Sequence, residues 1–212
     1  MNYMDDASTF ERSFLQKARQ QHIPITGALE LLPLCNMNCD MCYVRLSRSE
    51  MECQGQLRTV DEWILLAQQM QKAGTLFLLL TGGEPLLQPD AADFLRKVRE
   101  LGFAVKLDTN GTNPDMLEAL AQEGLLDYAA MDIKNSPDRY AETCGGVDLL
   151  GPVKRSAALL MAGAVDYEFR TTLVRELHRP EDLDAIAAWL AGAPRYYLQN
   201  FVDSGNLIGR GY

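Results

Sequence analysis

Leu31-Leu32-Pro33-Leu34-Cys35-Asn36-Met37-Asn38-Cys39-Asp40-Met41-Cys42-Tyr43 puts three cysteines into eight residues directly after an apolar run. No fourth cysteine or histidine stands nearby at ligand spacing, so the triplet is an incomplete metal site. Structural zinc takes four protein ligands in a closed tetrahedron. A cubane iron–sulfur cluster held by three cysteines leaves one iron open to bind something else. On the triplet alone, a zinc site completed by a distant ligand such as His178 also fits. A disulfide loop is disfavoured, because residues 1–24 show no positively charged start followed by an apolar core; a reducing, cytoplasmic setting is expected.

Working outward, residues 28–34 form a compact apolar run that reads as a first buried strand, so the cysteine loop leaves its carboxyl end. Residues 44–58 are polar and read as a long covering loop. Thr59-Val60-Asp61-Glu62 is a capping box that opens a helix ending near Gly74. Residues 76–80 are continuously apolar and too short for a helix, the pattern of a strand buried on both faces. Helices are then expected over 89–101, from Asn113 and Pro114 onward, over 149–162 and over 180–190. Strands are expected over 104–108, 129–133, 167–172 and 196–201. Such alternation predicts an α/β chain with a parallel sheet wound by right-handed crossovers. Residues 28–212 would form this domain, and 1–27 a lead-in holding a short or poorly ordered helix. Strand count alone suits a partial barrel and a doubly wound open sheet equally.

Charge narrows the function. Twenty basic against 29 acidic residues give a formal −9, which argues against nucleic-acid binding, where affinity rests on clustered Lys and Arg. No apolar stretch approaches the roughly 20 residues that span a bilayer. Cys53 and Cys144 read as isolated thiols. His178, just before a helix start, reads as an exposed loop residue.

In parallel α/β folds, ligands sit outside the carboxyl ends of the strands. Those ends carry, in turn, the cysteine loop; Thr81-Gly82-Gly83-Glu84-Pro85; Asp108-Thr109-Asn110-Gly111-Thr112; Asp132-Ile133-Lys134; Arg170-Thr171-Thr172; and Gln199-Asn200. Asp132 and Lys134 lie two apart on a strand and so share a face. A salt-bridge network filling the sheet interior is the alternative reading of the charged members.

The spacing of Cys35, Cys39 and Cys42 resembles the signature of the radical S-adenosylmethionine enzymes, and Gly82-Gly83-Glu84-Pro85, on the next strand, strengthens the likeness. The resemblance implies a partial (β/α)6 barrel with parallel strands, a [4Fe–4S] cluster on the three cysteines, and S-adenosyl-L-methionine chelated at the open iron through its amino and carboxylate groups. It implies that Thr81 to Pro85 accept hydrogen bonds from the cofactor's ammonium group. Met41 stands where the family usually has an aromatic residue packing near the adenine. A likeness of the segments holding Asp108, Asp132, Lys134 and Arg170 to the glycyl-radical activating branch implies that these four surround the methionine carboxylate and ribose, with Tyr43, Asn110 and Gln199 as further cofactor contacts.

Within the family, the segments around 108–111, 131–134 and 168–172 resemble the activators of glycyl-radical enzymes, above all those of anaerobic ribonucleotide reductase. The N-terminal stretch from Ala28 to Asp90 is more similar to the peptide-modifying enzymes. The first likeness implies a glycyl-radical protein as partner and a reduced flavodoxin- or ferredoxin-like electron donor. Two alternatives stay open: a peptide- or small-molecule-modifying enzyme, and a non-catalytic metal-binding regulator.

Overall fold

The computed structural model describes residues 3–42, 46–54 and 56–203. Helix α1 (Tyr3–Gln20) leads into strand β1 (Thr26–Leu32), followed by α2 (Arg48–Gln54), α3 (Val60–Lys72), β2 (Phe77–Gly82), α4 (Ala91–Glu100), β3 (Ala104–Thr109) and α5 (Pro114–Gln122). The second half holds β4 (Tyr128–Asp132), the short α6 (Tyr140–Thr143), α7 (Leu150–Met161), β5 (Tyr167–Leu173), α8 (Pro180–Trp189) and β6 (Tyr196–Asn200). All strand pairings are parallel and the sheet order is β1-β2-β3-β4-β5-β6. This order separates the two architectures that the strand count left open. A doubly wound sheet reverses direction at a switch point; here every crossover steps the same way, as in a barrel. The sheet stays open, so the molecule is a partial (β/α)6 barrel.

Alternation along the strands explains which face is dry. Leu29, Leu78, Leu80, Val105, Leu107, Met131 and Phe169 are buried and belong to one core with Phe94, Leu95 and Val98 of α4, Leu117 and Leu120 of α5, and Val153 and Leu160 of α7. The intervening residues, Glu30, Lys106, Asp108, Asp132 and Arg170, point to the concave side and are only partly covered.

The helix starts follow their capping chemistry. Thr59 accepts from the Glu62 amide at 3.3 Å while the Glu62 carboxylate accepts from the Thr59 amide at 2.8 Å. Asn113 accepts from the Met116 amide, with Pro114 in the first turn. Thr59→Ala is expected to lower the unfolding free energy by about 1 kcal/mol, read from urea denaturation; an unchanged midpoint would show the box to be idle.

Three expectations are corrected. Residues 44–58 are not all loop, because α2 forms from Arg48. Ser47 and Glu50 build its start, the Ser47 amide donating to Glu50 at 2.7 Å and the Glu50 amide donating to the Ser47 hydroxyl at 3.2 Å. The lead-in holds an 18-residue helix, of whose residues 11–20 only Ala18 is buried. His178 is partly buried: its Nδ1 accepts from the Val174 amide at 3.1 Å, which leaves Nε2 to donate to the Lys134 carbonyl at 2.9 Å. Among the described residues, no helix is long and apolar enough to cross a membrane.

Candidate active site

The strand register gathers the polar residues at one edge. Glu30 pairs with Thr81, Asp132 with Arg170, and Thr172 with Gln199. Above them a cavity of about 550 Å³ is lined by Cys35, Cys39, Met41 and Cys42 from the cysteine loop, and by Thr81, Gly82 and Gly83. Asp108, Asn110, Asp132, Lys134, Arg170 and Gln199 complete the wall from the other strands.

Backbone contacts on two sides fix the cysteine loop against its neighbours. The Gly83 and Glu84 amides donate to the Leu32 and Leu34 carbonyls at 2.8 and 2.9 Å, and a Cβ on Gly83 would overlap the Leu34 carbonyl. On the far side the Asn38 amide donates to the Cys144 carbonyl at 3.0 Å. Gly145, held at φ +72°, approaches the Asn38 carbonyl so closely that a Cβ would strike it. The loop is thus clamped between strand β2 and the turn after α6.

No disulfide involves any of the five cysteines. Among the described residues, no three of His, Cys, Asp and Glu converge to hold a single ion. His178, the distant zinc ligand considered above, has both ring nitrogens engaged by backbone groups. The donor set suits a group larger than one ion, carried on thiolates from one loop. Burial holds the Cys35 thiol above its ordinary value, against the lowering pull of the Met37 amide, so loading a metal group there releases a proton.

The charged residues form one network. Asp132 accepts from Lys134 Nζ at 2.9 Å and from Arg170 Nε at 2.9 Å. A second Arg170 nitrogen donates to Asp108 at 3.0 Å. Burial alone would raise the Asp132 carboxyl, but Lys134 and Arg170 outweigh it and hold it below its ordinary value. Burial would likewise lower Lys134, and the Asp132 carboxylate reverses that. Deeper in the concave face, Lys106 sits 3.3 Å from Glu168, which also accepts from the Tyr128 hydroxyl at 2.9 Å. One acceptor stands out: among the described residues, the buried Asp108 Oδ1 has no hydrogen-bond partner, although Lys106 lies 3.7 Å away. An unpaired buried carboxylate oxygen on a cavity wall calls for a donor from a ligand, such as a sugar hydroxyl.

Glu84 and Pro85 do not line the cavity. Pro85 begins a 3-10 turn, and Glu84 is fully buried behind it. Its carboxylate accepts from the Asn110 amide at 2.6 Å, the Thr109 hydroxyl at 2.8 Å and the Leu86 amide at 3.1 Å. The side chain therefore ties the β2 turn to the β3 turn. Tyr43 lies outside the described residues. Glu30, Met37, Phe201 and Val202 also line the cavity, although no motif pointed to them; the apolar three have the pattern of ordinary core.

Burial raises the Glu84 carboxyl to about 7, against the pull of its three donors. Between about pH 4.5 and 7 the native protein keeps a proton that the unfolded chain has released. Glu84's contribution is therefore greatest at the acid end of that window and falls by about 3 kcal/mol as the pH rises through it. Urea midpoints from about pH 5 to 8 should show that decline. Glu84→Gln should flatten it; an equal slope in the variant would assign the titration elsewhere.

A family model for the Radical SAM superfamily matches residues 29–190. The chain belongs to the radical SAM superfamily. Radical SAM enzymes use a [4Fe–4S] cluster and S-adenosylmethionine. Among curated relatives, a Methanocaldococcus jannaschii protein, named provisionally as a glycyl-radical enzyme activating enzyme, is 36% identical over 129 residues, covering 58% of this chain and 54% of its own length. PqqA peptide cyclase of Rhodopseudomonas palustris is 29% identical over 126 residues, covering 58% of this chain and 32% of the cyclase. Among solved structures, Streptococcus suis SuiB bound to its precursor peptide SuiA superposes with a TM-score of 0.72 at 16% identity, covering all of this chain and 48% of SuiB. The radical SAM chain described here thus spans about half the length of the relatives it matches, or less.

Proposed function

We propose that the protein cleaves S-adenosylmethionine reductively and uses the product to remove a hydrogen atom from the Cα of a glycine in a partner enzyme. When bound, a [4Fe–4S] cluster and S-adenosylmethionine would supply a 5′-deoxyadenosyl radical, one electron from the reduced cluster breaking the sulfur–carbon bond with methionine as the leaving group. The observation that carries this reading is the facing of Cys35, Cys39 and Cys42 by Asp108, Asp132, Lys134 and Arg170 across one cavity.

The chain's residues hold and orient. Cys35, Cys39 and Cys42 would ligate the cluster, and the carbonyls of Thr81 to Gly83 would accept from the cofactor's ammonium group. Lys134 and Arg170 would face its carboxylate, and the unpaired Asp108 oxygen would accept from a ribose hydroxyl. Met41, buried beside Cys42, would pack on the adenine, while the partly buried Phe201 would shield the reacting carbon from water. The open side of the sheet leaves an approach for an extended glycine-bearing loop. A cytoplasmic setting and a reduced flavodoxin- or ferredoxin-like donor go with this reading, since a reducing compartment keeps the cysteines available.

The name of the Methanocaldococcus relative favours glycine as the target. The superposition on SuiB with its precursor peptide favours a second reading, modification of a peptide. Anaerobic reconstitution with iron and sulfide, reduction and addition of S-adenosylmethionine tests both. 5′-Deoxyadenosine should form; binding of metal without it would leave only a regulator. A candidate glycyl-radical protein should then acquire a glycyl radical visible by electron paramagnetic resonance. Its absence, with a modified peptide instead, would select the second reading.

A further inference from the structure

Asn110 sits at the carboxyl end of β3, about 5% exposed, and its side chain reaches the cysteine loop. A closed ring of hydrogen bonds decides how its amide is turned. The Thr112 amide donates to Asn110 Oδ1 at 2.9 Å, which fixes that atom as the oxygen. The Thr112 hydroxyl donates to the same oxygen at 2.6 Å and accepts from Asn36 Nδ2 at 2.9 Å. Asn110 Nδ2 closes the ring by donating to Asn36 Oδ1 at 3.2 Å. One hydrogen on that nitrogen is left, and Nδ2 lies 3.4 Å from Cys35 Sγ. Glu84 holds the backbone of the same residue at 2.6 Å. Asn110 is thereby locked at both ends, with a donor aimed at one cysteine sulfur. The other donor to that sulfur, the Met37 amide at 3.4 Å, comes from the loop itself; Asn110 comes from 75 residues away.

We propose that Asn110 is a positioning residue that sets the reduction potential of the iron–sulfur centre by donating a hydrogen bond to the Cys35 sulfur. This rests on the reading of Cys35 as a cluster ligand. Reduction adds one electron from an external donor, and part of its charge spreads onto the cysteine sulfurs. A fixed N–H dipole stabilises the more negative, reduced state more than the oxidised one, so the donor raises the potential. Losing the bond weakens electron uptake by up to about tenfold, which is about 59 mV for a one-electron couple.

The test is an anaerobic redox titration followed by electron paramagnetic resonance, without S-adenosylmethionine, on wild type, Asn110→Leu and Asn110→Ala. Iron and sulfide content is measured alongside. Leucine fills the site and alanine empties it, so a packing effect would push them apart, whereas loss of the donor moves both the same way. Both variants should load the cluster and be harder to reduce, by up to about tenfold in affinity for the electron. A variant that loads fully and keeps the wild-type potential would overturn the inference, as would failure of both to load, which would make Asn110 an assembly residue. Failure of wild type to load overturns instead the proposed function on which the inference stands.

Discussion

Replacing any one of Cys35, Cys39 and Cys42 by alanine is expected to abolish formation of 5′-deoxyadenosine and to leave the reconstituted protein without a stable four-iron cluster. Three thiolates hold three irons and leave one for the cofactor; two thiolates leave two irons open, and the cluster loses the ligand set that fixes which corner binds. The three sulfurs come from one clamped loop, and Cys144, which is buried beside Met37 and Cys39, comes from a separate turn after α6 and does not reproduce their spacing. Cys53, exposed on α2, is the control, and Cys53→Ala should load iron and turn over as wild type does. Iron and sulfide analysis, with product measured by chromatography, reads both outcomes. Turnover surviving in any of the three single variants would sink the assignment, and so would its loss in the control.

The second large effect is expected at Asp132. Its carboxylate is shared by Lys134 and Arg170, so Asp132→Ala leaves two cations facing one another at the edge of the cavity. Arg170 keeps Asp108, but Lys134 loses its partner while only partly exposed to water; about 2 kcal/mol of unfolding free energy should be lost. Asp132→Asn keeps the shape and one acceptor oxygen, and should cost less. S-adenosylmethionine binding separates the two roles. If Asp132 only plugs the sheet interior, affinity should survive in a variant that is still folded at low temperature. If it orients Lys134 and Arg170 toward the cofactor's carboxylate, equilibrium dialysis of the anaerobically loaded Asp132→Asn protein should show affinity falling by about tenfold or more, one misplaced charge-assisted hydrogen bond.

Much of this architecture can be read from the chain because its signals are local. The continuous apolar run ending at Leu80 is a strand, as its length requires, but it is covered on one face only: Leu78 and Leu80 are buried while Phe77, on the opposite face, is 48% exposed. Asn113 with Pro114, and Thr59 with Glu62, announce helix starts through hydrogen bonds that span three residues. The sequence positions of Asp108, Asp132 and Arg170 bring them to one edge because strand periodicity and parallel order together demand it. What escaped detection depends on partners far along the chain. Glu84 follows two glycines in a turn, where a carboxylate facing the ligand is a natural reading. Its real direction is set by Thr109 and Asn110, 25 and 26 residues later. His178 reads as exposed because nothing near it in the sequence announces the Lys134 carbonyl. Helix α2 escaped for a different reason: Ser47 and Glu50 form a capping pair as good as that at Thr59, but the short polar segment after it has no apolar stripe to mark it.

Gly83 and Gly145 lie on opposite flanks of the cysteine loop, each in contact with one of its carbonyl oxygens. In a saturation mutagenesis survey scored by iron content, these two positions should be as intolerant as the cysteines, though neither donates an atom to the metal. Alanine, the smallest possible change, should already fail at both. The permitted alphabet at a site is thus set by the room a neighbour leaves, so a residue can be indispensable while having no chemistry of its own.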